Sequence, residues 1–343
     1  MPRSFAWVLA SAATAFLALS CSSGSPRARD VAGDPRPRVS DLDAGASSLV
    51  PEAPHAVEPT ASKADRPRVF VKASARALAL DEARVYYGDS EDDGIYALPK
   101  AGGDAIRIAR HAPVAGAIAL ERGFITWIAS PGDAVLRAPI SGGTQPTTLR
   151  DRGIFADVAA VGDDVFITEA IGAGGALIRV TGPTASRLAT LDGPPRVIMA
   201  DKTHVYIVTN TKVLRTPHQR GEVETVATGT RFTHGELDDT SVYVVAEADK
   251  GRALVKFPKA GGPAVILARD VRSAPIEVEG GEVLFFDGSR PQLRSVRVGG
   301  GESRVLAEDE GLMMVSAIEA DAKTIYVAEG IHESGVIVTV PRR

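Results

Sequence analysis

The chain is almost without cysteine, which excludes disulfide bonds as a source of its stability. Cys21 is the one thiol among 343 residues, so no intramolecular disulfide can form and no thiol beyond it can bind metal or act as a nucleophile. Aromatic residues are also scarce, at 5%, although 44% of the residues are hydrophobic. A core of small and β-branched aliphatic side chains suits thin β-sheets better than a thick aromatic core.

Neither sign of charge dominates the sequence. Lys and Arg together number 39 against 43 Asp and Glu, which gives a formal net charge of -4. Proteins that bind nucleic acid carry a strongly basic surface, so this balance argues against a nucleic acid partner. The chain is expected to be a monomer with the mixed charges of an ordinary soluble surface.

No apolar run is long enough for a transmembrane helix. Residues 5–19 form the longest, after a start that contains Arg3, and they fall short of the eighteen or more residues that a span requires. A cationic start, a short apolar stretch and small residues are typical of a secretory signal, predicted here as residues 1–20. Leu17-Ala18-Leu19-Ser20-Cys21 resembles the bacterial lipoprotein signal. That resemblance implies cleavage before Cys21 and lipid on its thiol; the alternative is a plain signal peptide.

The segment after the signal differs in composition from the rest. Residues 21–66 are rich in Ser, Pro, Ala, Asp and Arg, without sustained periodicity. Such a segment buries too little apolar surface to fold, and it is predicted to be a disordered tether with a reach of about 35–40 Å. By analogy with bacterial sorting, Ser22 favours the outer membrane. We therefore expect an exported protein that is lipid-anchored to the cell envelope.

From residue 67 onward one strand plan recurs at a period of roughly forty residues. Each copy has an apolar first strand, a second strand, a third strand that often ends in Pro, a Gly-rich turn and an outer strand. The second strands are centred on Val85, Ile125, Val165, Val205, Val242, Val283 and Ile325.

Six outer strands follow seven first strands, and the missing one lies at the other end. Residues 69–72 precede the first copy where an outer strand would stand. This strand would complete the seventh copy and close the ring, removing the exposed edges of an open array. Residues 67–343 are therefore predicted to form an all-β, seven-bladed β-propeller closed by an N-terminal outer strand; six or eight blades are the alternatives.

The first copy carries a family resemblance. Val85-Tyr86-Tyr87-Gly88-Asp89 and Gly94-Ile95-Tyr96-Ala97-Leu98-Pro99-Lys100-Ala101-Gly102-Gly103 resemble the YWTD-like and related bacterial propeller repeats, although the Trp-Asp of that motif is absent. The resemblance implies a propeller, and it implies binding rather than catalysis because those domains mostly act as recognition surfaces. It covers most copies loosely.

Connections between blades are rich in arginine. Those predicted to face a ligand at the channel or the adjoining loops are Arg110, Arg152, Arg196, Arg231 and Arg272. The turns after the second strands are acidic instead. A basic ring inside an acidic collar could hold an anionic group or an acidic loop of a partner. Ordinary solvated loops with weak local ion pairs are the alternative.

Three consecutive first strands carry Glu at one register: Glu236, Glu277 and Glu319. The corresponding positions of the other copies are read as Ala79, Ala119, Ala160 and Met199. Carboxylates on adjacent innermost strands would converge near the channel, where they could hold Ca²⁺ or a cationic ligand. Without a cation, burial would raise their pKa values. The alternative is that they reach channel water or pair with arginine.

Motifs for catalysis are weak. The histidines beyond the tether stand in no metal-ligand spacing, and the chain has no nucleophile elbow or phosphate-binding glycine loop. The sequence therefore favours a non-enzymatic binding or scaffold module for an envelope protein or glycan, without a cofactor unless Ca²⁺ binds. A hydrolase or lyase with its site at the channel mouth, possibly Ca²⁺-dependent, is the alternative.

Overall fold

The computed structural model describes residues 66–110, 114–129, 131–330 and 335–342. These residues form strands from Arg68 to Pro341, and one 3₁₀ turn at Glu310–Met313 is the helical structure in this part of the chain. Nowhere in the described ranges is there a helix with the length and apolar character that a bilayer span requires. The predicted signal peptide, Cys21 and nearly all of the predicted tether lie outside the described residues.

The strands group into seven four-stranded antiparallel sheets, one for each blade. Blade 1 contains β2 (Ala75–Leu80), β3 (Arg84–Asp89), β4 (Gly94–Pro99) and β5 (Ile106–Ala109). Blade 2 contains β6 (Val114–Glu121), β7 (Phe124–Ala129), β8 (Ala134–Pro139) and β9 (Thr147–Asp151). Blade 3 contains β10 (Phe155–Val161), β11 (Asp164–Ile171), β12 (Gly174–Thr181) and β13 (Thr184–Leu191). Blade 4 contains β14 (Pro195–Ala200), β15 (His204–Thr209), β16 (Lys212–Pro217) and β17 (Glu224–Thr228).

The remaining blades follow the same order. Blade 5 contains β18 (His234–Leu237), β19 (Ser241–Ala248), β20 (Gly251–Pro258) and β21 (Val265–Arg269). Blade 6 contains β22 (Glu277–Glu279), β23 (Glu282–Phe286), β24 (Gln292–Arg297) and β25 (Arg304–Glu308). Blade 7 contains β26 (Val315–Ala320), β27 (Thr324–Glu329) and β28 (Val336–Pro341), and its outer strand is β1 (Arg68–Lys72).

The first strands of successive blades contact one another all the way round, from β2 to β26 and back to β2. This arrangement places the seven first strands around a central channel and confirms the predicted seven-bladed β-propeller. The predicted closure is also confirmed, because β1 pairs antiparallel with β28. Phe70 of β1 packs its ring against Tyr326 at 5.4 Å, so closure buries apolar surface as well as backbone.

The second strands lie between neighbouring blades and are buried on both faces. In β15, alternate residues face opposite neighbours: Tyr206 and Val208 pack with blade 5, whereas Val205 and Ile207 pack with blade 3. A strand that is buried on both faces has a nearly continuous apolar sequence. Aliphatic side chains fill most of this space, which explains how a chain so poor in aromatic residues builds its core. Trp127, the largest side chain of this core, is fully buried.

Asp residues organise four of the turns between first and second strands, with a Tyr five positions later. Asp81 accepts hydrogen bonds from the Ala83 and Arg84 amides at 2.8 and 2.7 Å, and its other oxygen accepts one from the Tyr86 hydroxyl at 2.6 Å. The equivalent pairs are Asp201 and Tyr206, Asp238 and Tyr243, and Asp321 and Tyr326. The five-residue spacing from Asp to Tyr recurs in the sequence and could have been recognised there.

In two of these turns a lysine from the following blade takes the second carboxylate oxygen. Lys259 of blade 5 donates to Asp201 of blade 4 at 2.7 Å and lies 4.8 Å from the Tyr206 ring centroid. Lys100 of blade 1 bonds Asp321 of blade 7 in the same way at 2.8 Å. Both lysines follow a Pro in the turn before the outer strand, so this repeat motif joins neighbouring blades.

Replacing Lys259 with Met is expected to lower the free energy of unfolding by about 1–3 kcal/mol at pH 7, because it removes a hydrogen bond to a charged group that is largely buried. Partial burial raises the pKa of Asp201, but hydrogen bonds from Lys259 and from the Thr203 and His204 amides outweigh it and hold that pKa well below its usual range. The stabilisation is therefore present above about pH 4 and lost as the pH falls further. Urea unfolding of wild type and Lys259→Met at pH 7 and pH 3 measures both effects.

The matched control is Lys212→Met, which breaks the more exposed pair with Asp192, whose side chains are 34% and 62% exposed. An exposed pair contributes about 0–1 kcal/mol, so this variant should stay close to wild type. Equal losses in the two variants, or a Lys259→Met loss that does not shrink at pH 3, would contradict the assignment.

Candidate functional site

The three predicted glutamates share one register on the first strands of blades 5, 6 and 7. Each glutamate pairs with a residue on the second strand of its own blade. Glu236 pairs with Tyr243, Glu277 with Leu284 and Glu319 with Tyr326. In the other blades this register holds Ala79, Ala119, Ala159 and Met199. The prediction of Ala160 for blade 3 was wrong by one residue, because Ala160 pairs with Val165 and points to the opposite face.

The charges of the three carboxyl groups act on one another. The pKa of Glu319 is raised to about 8, first by burial and then by Glu236. Burial, followed by the charges of Glu319 and Glu236, also raises the pKa of Glu277 well above its usual range. Glu236 and Glu319 belong to blades 5 and 7, which are not neighbours. The effect of Glu236 on the pKa of Glu319 therefore extends beyond adjacent blades. A ligand site shared by the three predicted residues stays a prediction.

Asp157, a fourth carboxyl group, joins this cluster and was missed in the sequence. It stands on β10, two positions before Ala159 and so on the same face of the strand. Its oxygens accept hydrogen bonds from the Val158 and Ile198 amides at 2.8 and 2.9 Å. Burial nevertheless raises the pKa of Asp157 to about 7. The pKa of Glu236 is also raised to about 7, first by burial and then by the charge of Asp157. We call Asp157, Glu236, Glu277 and Glu319 the channel carboxyl cluster.

Each member of the channel carboxyl cluster keeps an intermediate exposed fraction. Water can therefore reach the side chains, but the surrounding blades remove most of the bulk solvent around the carboxyl groups. Glu236 compensates in part by accepting a hydrogen bond from the Leu237 amide at 2.9 Å. Incomplete hydration disfavours the charged form, which is why all four pKa values are raised.

A cavity of about 790 Å³ opens next to the cluster, on the side of the turns between first and second strands. Its lining includes Ala160, Ala200 and Leu237, each one position after a residue of the Glu236 register and so on the opposite face of its strand. Charged side chains of both signs border it: Glu121, Arg122, Asp201, Lys202 and Asp239. The arginines that the sequence predicted to face a ligand belong to the opposite mouth, in the connections from outer to first strands.

Within the described ranges, no group of three or more His, Cys, Asp or Glu side chains is arranged to hold a metal ion. The carboxyl oxygens of Glu236, Glu277 and Glu319 influence one another electrostatically but are not gathered into a coordination shell. Calcium at this register stays a prediction, since binding would require these flexible side chains to draw together.

The predicted arginines occupy the opposite mouth but do not act as one uniform ring. Arg152 is 92% exposed and adopts a φ of 59°, and Arg231 approaches Glu247 at 3.3 Å. Arg110 and Arg196 are exposed. Arg272 is used within the fold, because it donates hydrogen bonds to the Leu312 and Arg290 carbonyls at 2.6 and 2.8 Å.

The apolar residues at this mouth also differ in exposure. Met313 and Met314 are exposed. Phe232, in the connection between blades 4 and 5, is fully buried among residues of those two blades. Its connection turns inward, so Phe232 contributes to the core and not to a surface.

No protein-family model matches the chain, and no curated protein matches it. Solved structures do. A streptogramin B lyase structure is 12% identical, with a TM-score of 0.67 over 82% of this chain and 100% of that one. The Pan2 WD40 domain of Neurospora crassa is 10% identical, with a TM-score of 0.59 over 83% and 98%. The computationally designed Ika8 protein is 12% identical, with a TM-score of 0.54 over 80% and 98%. These similarities support the β-propeller fold and nothing more specific.

Proposed function

We propose that the chain is a non-enzymatic binding module of the bacterial cell envelope, anchored through lipid on Cys21. In this proposal the channel carboxyl cluster receives a positively charged group of an envelope protein or glycan, such as an ammonium or guanidinium group. The observation that supports it is the convergence of four incompletely hydrated carboxyl groups from blades 3, 5, 6 and 7. A cation would offset both their repulsion and their lost hydration.

Access supports the same proposal. The cavity beside Leu237 opens to solvent one residue along the strand from Glu236, and its volume of about 790 Å³ could admit a side chain or a sugar. The acidic and basic residues at its rim would orient the partner more than they would add to its affinity. Ca²⁺ is the alternative occupant, because carboxylate oxygens are its preferred ligands.

The test compares wild type with Glu236→Gln/Glu277→Gln/Glu319→Gln, each crosslinked and recovered as the full chain from its native envelope. Wild type should recover a defined partner, and the triple variant at least ten-fold less of it, because neutral amides cannot pair with a cation. The matched control is Glu82→Gln/Glu222→Gln/Glu302→Gln, which removes three exposed charges elsewhere. Equal recovery by all three proteins would count against the cluster as the binding site.

A parallel measurement separates Ca²⁺ from an organic cation. Unfolding temperatures are recorded at pH 8 with EDTA and with added CaCl₂. An increase with Ca²⁺ that the triple Gln variant loses assigns the ion to the cluster. No change in wild type excludes Ca²⁺ and leaves the organic cation.

The second candidate is a hydrolase or lyase at the channel. The carboxyl groups of Asp157, Glu236 and Glu319 have pKa values of about 7 to 8, which suits proton transfer near neutral pH. Streptogramin B is a rational first substrate to test, given the structural neighbour named above. Consumption of streptogramin B by wild type and not by Glu319→Gln would favour catalysis over binding alone.

A further inference from the structure

A cavity of about 740 Å³ lies on the outer part of blade 6, apart from the channel carboxyl cluster. Its lining residues all belong to blade 6 and include Gly281, Glu282, Ser295, Gly301 and Arg304. Ser295 pairs with Leu284, which packs with residues of blade 7, so this face of the sheet is turned towards blade 7. Blade 7 therefore leaves open a space that lies on its own side of blade 6.

In two other blades the equivalent face is covered by a turn of the next blade. Arg215 holds the Ser295 position in blade 4, and it donates a hydrogen bond to the Lys259 carbonyl of blade 5 at 2.6 Å. Lys256 holds that position in blade 5, and it donates to the Val298 carbonyl of blade 6 at 2.8 Å. Both carbonyls begin the turn between a third strand and an outer strand. A peptide turn held by a cation thus fills this place in blades 4 and 5.

Blade 7 has no such turn to offer to blade 6. Its third strand β28 and its outer strand β1 come from opposite ends of the described chain, so no turn joins them. Arg342 follows β28 and donates to the Glu279 carbonyl of blade 6 at 2.8 Å, much as Lys259 reaches Asp201 of blade 4. The contact that precedes the turn is therefore kept, and the turn itself is missing.

The groups around the cavity suit a peptide main chain. Arg304 donates from its Nε to the buried Ser295 hydroxyl at 3.1 Å and pairs with Glu282 at 3.0 Å, yet its side chain stays 45% exposed. This pair offers a donor for carbonyl groups beside an acceptor for amides. A Cβ added at Gly281 or at Gly301 would meet nothing within 4 Å, so a guest backbone can approach closely.

The charges that line the cavity are balanced. Its acidic side chains are Glu282 and Glu302, and its basic side chains are Arg297 and Arg304. A cavity without excess charge favours the neutral dipoles of a peptide backbone over a free ion.

We propose that this cavity binds a glycine-containing turn of a partner protein, in the place where blades 4 and 5 receive the turn of their neighbour. Carbonyl groups of the guest turn accept hydrogen bonds from Arg304 and from Arg297, which is exposed at the rim. Amides of the guest donate to Glu282. The site shares no residue with the channel carboxyl cluster, so the failure of one leaves the other standing.

The test is binding of a labelled cyclic peptide that copies residues 256–264 of this chain to the full-length protein, followed by fluorescence anisotropy. Wild type should bind it saturably. Arg304→Gln, which removes the donor, should bind about ten-fold more weakly, as expected for a lost hydrogen bond from a charged group. Ser295→Arg should bind as weakly, because it fills the cavity with the side chain that blade 4 carries at this position.

Matched controls separate a specific turn from any peptide and from any lost charge. Gly261 and Gly262 adopt φ values of 83° and 121°, so a peptide with Val at both positions cannot form the turn and should not bind. Arg187→Gln removes an exposed arginine from the outer strand of blade 3 and should bind like wild type.

NMR titration locates the bound peptide. The amide signals of Gly281 and Gly301 should shift with the same affinity as the anisotropy change. Because Arg304 is half-exposed, Arg304→Gln keeps the test valid even if Ser295→Arg unfolds the chain. Absence of saturable binding by wild type, equal binding of the Val peptide, or an Arg304→Gln affinity equal to that of Arg187→Gln would overturn the proposal.

Discussion

Deleting β1 (Arg68–Lys72) is expected to open the ring and to lower the free energy of unfolding by about 3–5 kcal/mol, from lost apolar burial and lost backbone hydrogen bonds. The deletion leaves the outer edge of β28 unpaired and uncovers Tyr326, against which Phe70 packs. An unpaired edge also invites strand addition by other chains, so the variant should aggregate. Urea unfolding followed by circular dichroism, together with light scattering, measures both effects.

Two point substitutions refine this expectation. Phe70→Ala removes the contact with Tyr326 and should reproduce part of the loss. Val69→Ala changes a side chain that is 63% exposed in the same strand and should leave stability within about 0.5 kcal/mol of wild type. A deletion variant that stays monomeric and unfolds at the wild-type urea concentration would show that β1 is not needed for closure.

Glu319→Gln is expected to make the protein more stable than wild type at pH 8 by roughly 4 kcal/mol, since the pKa of Glu319 rises by more than three units and each unit corresponds to about 1.4 kcal/mol. The folded protein favours the protonated carboxyl group, because the pKa of Glu319 is raised to about 8. Its contribution to stability is therefore complete below about pH 4.5 and is lost as the pH rises through 8. A neutral amide removes that loss.

Urea unfolding at pH 5, 6.5 and 8 in the presence of EDTA measures this effect without interference from bound cations. The stability difference between Glu319→Gln and wild type should grow with pH. Glu82→Gln, an exposed carboxylate in a turn of blade 1, should show no such trend. A difference that is constant from pH 5 to pH 8 would mean that Glu319 ionises as freely in the folded protein as in the unfolded chain.

Much of the fold could be predicted because the seven copies of the strand plan can be aligned and compared with one another. The count of first strands against outer strands was sufficient to place β1 in blade 7, since a closed ring leaves no first strand without an outer strand. The Glu register could also be predicted, because period-two alternation fixes a face once the second strand is aligned. The prediction of this register was wrong in blade 3, because residues 159 and 160 are both alanine and only their pairing partners on the second strand distinguish them.

The rest depended on contacts between strands that sequence spacing does not report. Asp157 was not predicted because the sequence comparison was limited to the register of Glu236, Glu277 and Glu319. Asp157 lies two residues before that register on the same face of β10. The cavity beside Leu237 also depends on the conformation of the turns that line it, and no residue pattern predicts that conformation.

Closure by β1 also sets an order for folding. The hydrogen bond from Thr339 to the Arg68 carbonyl joins residues 271 positions apart, whereas the hairpins within each blade are local. Local pairs form before such distant ones, so the ring closes last, after β28 exists to receive β1. Until then β28 presents a free edge that β1 of another copy fits equally well. Refolding at high concentration should therefore yield dimers that have exchanged this strand, and dilution should suppress them.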